Sequence, residues 1–189
     1  MDAEDVNRAV DWLTRLLEPY ADTDWTRPAL GLEWSCRETV AHVAHDLTAY
    51  AGQLAGAVQD GYLPCDLTVR TDATPRDLLR VVTAAAGLLR AVLTTAPPDA
   101  RAWHWGPCDP GGFAAMGCAE VLLHGYDLAG GLGAAWTPPA GMCAAVLGRL
   151  FPDAPAGEPE AVLLWCTGRG ELPGRPRRTG WVWKAALPA

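Results

Sequence analysis

The sequence predicts a mostly helical bundle: four main helices, a short fifth and a small β-hairpin-like extension at the C-terminus. Three observations predict it. Apolar residues recur at helical spacing over four long stretches. Helix start signals precede two of those stretches. Half of the 189 residues are hydrophobic and a fifth are charged, which is ample for the core of one domain spanning 1–189.

The first helix is expected over Glu4–Tyr20, where Val6, Val10, Leu13, Leu16 and Leu17 fall on one side and Arg8, Asp11 and Arg15 on the other. A loop with Trp25, Pro28 and Trp34 follows. Ser35 and Glu38 then form an S-x-x-E capping box, in which each side chain satisfies the other residue's backbone amide. It opens a second helix to about Val58, with Val40, Val43, Leu47, Tyr50 and Leu54 on one face. Thr74 as cap and Pro75 at the first helical position start a third helix, which runs to about Thr95 and stops before Pro97-Pro98. Asp99–Gly112 reads as a loop rich in glycine, proline and aromatics. The fourth helix spans about Phe113–Leu128 and is expected to end at Gly130-Gly131. The fifth opens at Thr137-Pro138 and ends near Leu150. Beyond it, Glu160–Cys166 and Gly180–Trp183 read as two short strands around a basic turn.

The formal charge is −7, from 22 acidic and 15 basic residues. These charges are dispersed, with no basic face for a phosphate backbone or an anionic membrane surface, so nucleic acid and membrane partners are not expected. The N-terminus lacks a basic, then apolar, secretory leader, and no uninterrupted apolar run approaches the ~20 residues of a membrane span. The expected compartment is the cytoplasm. The six cysteines show no CxxC spacing and read as small buried apolar residues.

Chemistry concentrates on two helices. Glu120 and His124 are four apart on the fourth, so they project from one face, with Asp127 three residues further. On the second helix, His42 and His45 are three apart and Asp46 is four from His42. Such pairs are often surface interactions, and a histidine in an apolar stretch is often a core residue bonded to backbone. The fourth helix, however, carries almost no charge before Glu120, and a carboxylate buried there needs a cationic or hydrogen-bonding partner. Imidazole and carboxylate groups from two facing helices are what a metal centre in a bundle core requires.

Two segments carry a family resemblance. Trp34-Ser35-Cys36-Arg37-Glu38-Thr39-Val40-Ala41-His42-Val43-Ala44-His45 resembles the "W-t-x-x-[DE]-x-v-x-H-l" segment of the mycothiol-dependent maleylpyruvate isomerase N-terminal family, within the DinB-like metalloenzyme superfamily. Glu120-Val121-Leu122-Leu123-His124-Gly125-Tyr126-Asp127 resembles its "E-x-x-x-H-x-x-D" signature. The resemblance spans about residues 5–135 and implies a DinB-like four-helix bundle. It also implies one divalent metal, zinc in such relatives, held by His42, Glu120 and His124. Further, it implies a low-molecular-weight thiol cosubstrate, mycothiol, whose sulfur is activated at the metal. His45 matches no ligand position and is either a supporting residue or helix surface; Asp127 is expected to orient or cap. Full-length maleylpyruvate isomerases carry a substantial additional C-terminal domain, whereas fewer than forty residues follow the fifth helix here.

Trp103, His104 and Trp105, in the loop before the fourth helix, could wall a substrate pocket or simply pack on the bundle end. Arg169, in a Thr-Gly-Arg segment that resembles the end of short family members, could reach an anionic substrate group. The expected function is a metal-dependent enzyme acting on a small organic substrate, a thiol-dependent transferase or isomerase. The alternatives are a thiol-independent metal-dependent tailoring enzyme (hydrolase, lyase or cyclase) and a noncatalytic small-molecule-binding bundle.

Overall fold

The computed structural model describes residues 1–187. Helices α1 (Ala3–Leu17), α2 (Cys36–Ala55), α3 (Pro75–Thr95) and α4 (Pro110–Leu132) form a DinB-like bundle. α5 (Ala140–Leu150) and α6 (Pro159–Cys166) extend it on the α4 side. A 3₁₀ turn, Glu18–Tyr20, continues α1.

Local chemistry sets the helix starts. Capping boxes close the N-termini of α2 (Ser35 with Glu38) and α3 (Thr74 with Asp77). A third box, Asp2 with Asp5, starts α1. Asp109 caps α4 by accepting from the Gly112 amide at 2.9 Å, with Pro110 next in the chain, so α4 begins three residues before the expected Phe113.

The apolar stripes meet as the periodicity demands: Val6, Leu13 and Leu17 of α1, Val43 and Leu47 of α2, Leu78, Val82 and Leu89 of α3, and Phe113, Met116 and Leu122 of α4 share one core. α3 is long and apolar enough to cross a membrane by length and composition. In this fold its Leu78, Leu79, Val82, Ala85, Ala86 and Leu89 are buried in the bundle. α4 is the central element, buried on nearly all sides.

Three elements differ from the sequence expectation. α4 runs through Gly130 and Gly131 to Leu132, and the left-handed cap is Gly133 (φ 75°). The two earlier glycines serve close approach instead. A Cβ on Gly130 would sit 2.5 Å from the Leu30 side chain, and one on Gly131 2.7 Å from the Pro28 carbonyl. The Asp99–Gly112 loop contains a small hairpin, β1 (Ala102–Trp103) with β2 (Pro107–Cys108). Glu160–Cys166 is helix α6 rather than a strand. Its apolar run fits either element, but Pro159 at the first turn favours a helix. The hairpin-like feature of the C-terminal extension is a tight turn closed by the Leu172–Arg175 bridge, and Gly180–Trp183 is irregular.

Candidate metal centre

α2 and α4 face each other, and their polar residues meet where the two helices pack. His42, Glu120 and His124 each present a donor atom, all within 4.8 Å of one another. On α4 the four-residue spacing brings His124 Nε2 to 3.3 Å from Glu120 Oε2. The His42 ring lies edge-on to His124, with centroids 5.0 Å apart. Glu120 and His124 are both only 7% exposed, so neither carboxylate nor imidazole can rely on water.

Each buried donor is oriented by a second polar group. The Tyr50 hydroxyl donates to Glu120 Oε1 at 3.0 Å, leaving Oε2 toward the histidines. His124 Nδ1 lies 3.0 Å from Asp127 Oδ2; a carboxylate accepts, so the proton sits on Nδ1 and Nε2 offers its lone pair to a metal. Arg169 grips Asp127 by a bidentate pair, Nε to Oδ1 at 2.9 Å and Nη2 to Oδ2 at 2.7 Å. On the α2 side, His42 Nε2 is 3.2 Å from Asp46 Oδ2 and the Trp34 ring packs 4.7 Å from the imidazole.

The electrostatics are those of a site short of positive charge. Burial pushes Asp46 up to about 8, reinforced by the neighbouring Glu120 charge. Burial also opposes ionisation of Glu120, but the bond from His124, the two imidazoles and the Tyr50 hydroxyl outweigh it and hold this carboxyl below its usual range. For His124, burial disfavours the charged ring, yet Asp127 and Glu120 together raise it to about 9. Burial and the neighbouring His124 push His42 down. In the metal-free protein a proton on His124 thus balances a surplus of acceptors. A divalent cation suits this set: two imidazoles and one carboxylate converge, and a metal held by three protein groups keeps positions for water or substrate.

The other residues singled out in the sequence are placed as follows. Asp127 and Arg169 stand in line behind His124, so the Arg169 guanidinium is committed to Asp127 and not free for a substrate carboxylate. His45 lines the cavity beside the centre, with its Nδ1 accepting from the Leu67 amide at 3.2 Å. Trp103 and Trp105 do not line the cavity beside the centre. They pack on Tyr62, at 4.7 and 6.5 Å, and Trp105 is 77% exposed. The residue between them, His104, is the one turned inward. Asp46 and Tyr50 join the site beside the residues that the resemblance implies. Asp46 and Tyr50 share the α2 face at four-residue steps from His42, a signal present in the sequence. Nothing in the sequence singles out the inward turn of His104.

A family model for the mycothiol maleylpyruvate isomerase N-terminal domain matches residues 6–129. The chain belongs to this family. The match takes in all of α2 and the turns of α4 that carry Glu120 and His124, and it stops before α5, α6 and Arg169. Among solved structures, the fold is similar to that of a histidine-to-alanine mutant of the mycothiol-dependent maleylpyruvate isomerase. The TM-score is 0.65 at 16% identity, covering 93% of this chain and 95% of that one. The likeness therefore extends past the family's N-terminal portion, and the expected large extra domain does not separate the two folds in this comparison. A search of curated proteins gave no match.

Proposed function

We propose that this chain is a metal-dependent enzyme acting on a small organic substrate, a mycothiol-dependent isomerase or transferase. The observation that carries the reading is the convergence of His42, Glu120 and His124 from two helices, with Tyr50 and Asp127 orienting the two buried donors. Family membership supports the thiol. Zinc fits two imidazoles and a carboxylate, and a cation of this kind supplies Lewis acidity that makes a thiol or water nucleophilic at neutral pH. The chain's own contribution is placement. Asp127 keeps the His124 proton on Nδ1, Arg169 fixes Asp127, and Tyr50 leaves one Glu120 oxygen free for the metal. Asp46, at the cavity edge and readily protonated, can hold or release a proton beside the substrate.

The test is turnover of maleyl compounds, epoxides and haloarenes with mycothiol. Activity that requires the thiol, disappears on chelation and returns with zinc supports the reading. Metal-dependent turnover without thiol would replace it with the tailoring alternative. Saturable binding with no turnover of any candidate would replace it with the binding bundle.

A further inference from the structure

The chain beyond α5 builds a second cavity, separate from the metal centre. It measures about 590 Å³, within the range of small-molecule sites, and shares no lining residue with the centre or with the cavity beside it. Leu150 and Phe151 at the end of α5, Trp165 and Cys166 at the end of α6, and the stretch from Arg175 to Lys184 form its walls, all beyond the residues the family model matches. Hydrogen bonds hold these walls. The Trp165 indole donates to the Pro176 carbonyl at 3.0 Å, beside the turn closed by Leu172 and Arg175. Further on, the Lys184 amide donates to the Leu150 carbonyl at 2.9 Å, and Arg149 donates to the Lys184 and Ala185 carbonyls at 3.1 and 2.6 Å. The tail is thus fixed on both sides of the cavity, so a ligand meets a surface already formed.

The cavity is basic in an acidic protein. Residues 169–187 hold five of the chain's 15 basic residues and one of its 22 acidic ones, against a net charge of −7. The Arg175 and Arg178 guanidiniums both lie over the Trp165 ring, 5.4 and 5.1 Å from its centroid. Two like charges drawn to one indole repel each other. Arg8, Arg70, Arg76, Arg80, Arg149 and Arg169 each meet a carboxylate, whereas Arg175 and Arg178 meet none among the described residues. The one acidic residue of the lining, Asp153, is already paired with Lys184. The two guanidiniums therefore keep their full attraction for an anion.

The rest of the lining is aromatic and apolar. Phe151 and Trp181 stand with ring centroids 6.4 Å apart, and Trp181 is 37% exposed. Stacked on an indole, a guanidinium keeps its N–H edge for a planar, bidentate acceptor. Exposed aromatic rings beside such edges suit a flat ring that carries a carboxylate: the ring packs on Trp181 and the carboxylate accepts from the arginines. An aliphatic acid or a neutral ring would use only half of this surface.

We propose that this cavity binds a small aromatic carboxylate, with Arg175 and Arg178 as its anion-binding residues and Trp181 as its stacking surface. The site stands apart from the metal centre and does not rest on the proposed chemistry. Isothermal titration calorimetry of 2-naphthoate into the full chain, as purified and after chelation, tests it. The affinity should be the same in both preparations, and about tenfold or more above that of 2-naphthamide, the neutral isostere. Decalin-2-carboxylate, which keeps the charge and loses the flat ring, should bind about threefold more weakly or worse. Arg175→Gln and Arg178→Gln should each weaken 2-naphthoate about tenfold with circular dichroism unchanged, and two variants guard against one failing to fold. Arg90→Gln, which removes the same charge from the exposed face of α3, should have no effect. Binding lost on chelation would place the acid on a metal and overturn the proposal. No detectable binding, equal affinity for the amide or the decalin acid, full affinity in both folded variants, or an equal loss in Arg90→Gln would each overturn it too.

Discussion

The two helices that supply the proposed metal ligands do so under different constraints. On α4 the functional groups lie inside the core: Glu120, His124 and Asp127 are buried, and each is tied to Tyr50, Asp127 or Arg169. On α2, His42 is half-buried between the Trp34 ring and Asp46, and His45 and Asp46 border the cavity. The difference teaches where function and stability are coupled. A charge on α4 cannot be removed without stranding its partners, whereas the His42 side chain on α2 can be lost with little effect on packing.

The largest expected effect follows directly. Glu120→Ala should lose the metal and destabilise the protein by about 3 kcal/mol, because Tyr50 and His124 are left buried without their partner. His42→Ala should lose the metal at a cost of about 1 kcal/mol or less. Denaturant unfolding of metal-free wild type and both variants checks this, and equal penalties would break the contrast between the helices.

A smaller effect is expected one step behind the proposed ligands. Asp127→Asn and Arg169→Met should weaken metal affinity about 10- to 100-fold without abolishing binding, since both act through the orientation of His124. Titration against a competing chelator measures it. Unchanged affinity in both would mean that the row from Arg169 to His124 has no part in holding the ion.

Thiol reactivity sharpens the comparison further. Burial pushes the Cys108 and Cys143 thiols up to about 12 and also raises Cys36, Cys118 and Cys166. At pH 8 the folded protein should therefore gain one alkyl adduct, at Cys65, by mass spectrometry. Rapid labelling of Cys118 would show that α4 opens and is not the rigid half.

The smallest effect concerns the start of α2. Hydrogen bonds from the Ser35 side chain and backbone hold the Glu38 carboxyl below its ordinary 4.5. A depressed folded-state pKa means that this contribution is present above about 4.5 and is lost as the pH falls through the folded value. Glu38→Gln should therefore be slightly less stable than wild type at pH 7, with the difference shrinking towards pH 3. A difference that grows on acidification would contradict the cap's role.

Much of this was legible in the sequence because it rests on short-range rules. Ser35 with Glu38 and Thr74 with Pro75 announce α2 and α3 at the positions observed, and the spacing of Glu120, His124 and Asp127 places them on one face. What the sequence hid depends on distant contacts. Gly130 and Gly131 look like a helix end until the Leu30 loop is seen packed against them. The apolar run of α6 fits a strand as well as a helix. Arg169 is 42 residues from Asp127, and only tertiary structure shows that its charge is already committed there. The inward turn of His104 hangs on the strained, left-handed backbone of Trp105 (φ 58°), which no residue type announces.

The central claim is that His42, Glu120 and His124 together hold one divalent ion. Calorimetric titration of zinc into metal-free protein, with elemental analysis of the loaded product, tests it most directly. About one ion per chain is expected for wild type, with binding lost in His42→Ala, Glu120→Gln and His124→Ala while their helical circular dichroism is preserved. Undiminished binding of one ion in all three folded variants would contradict the account.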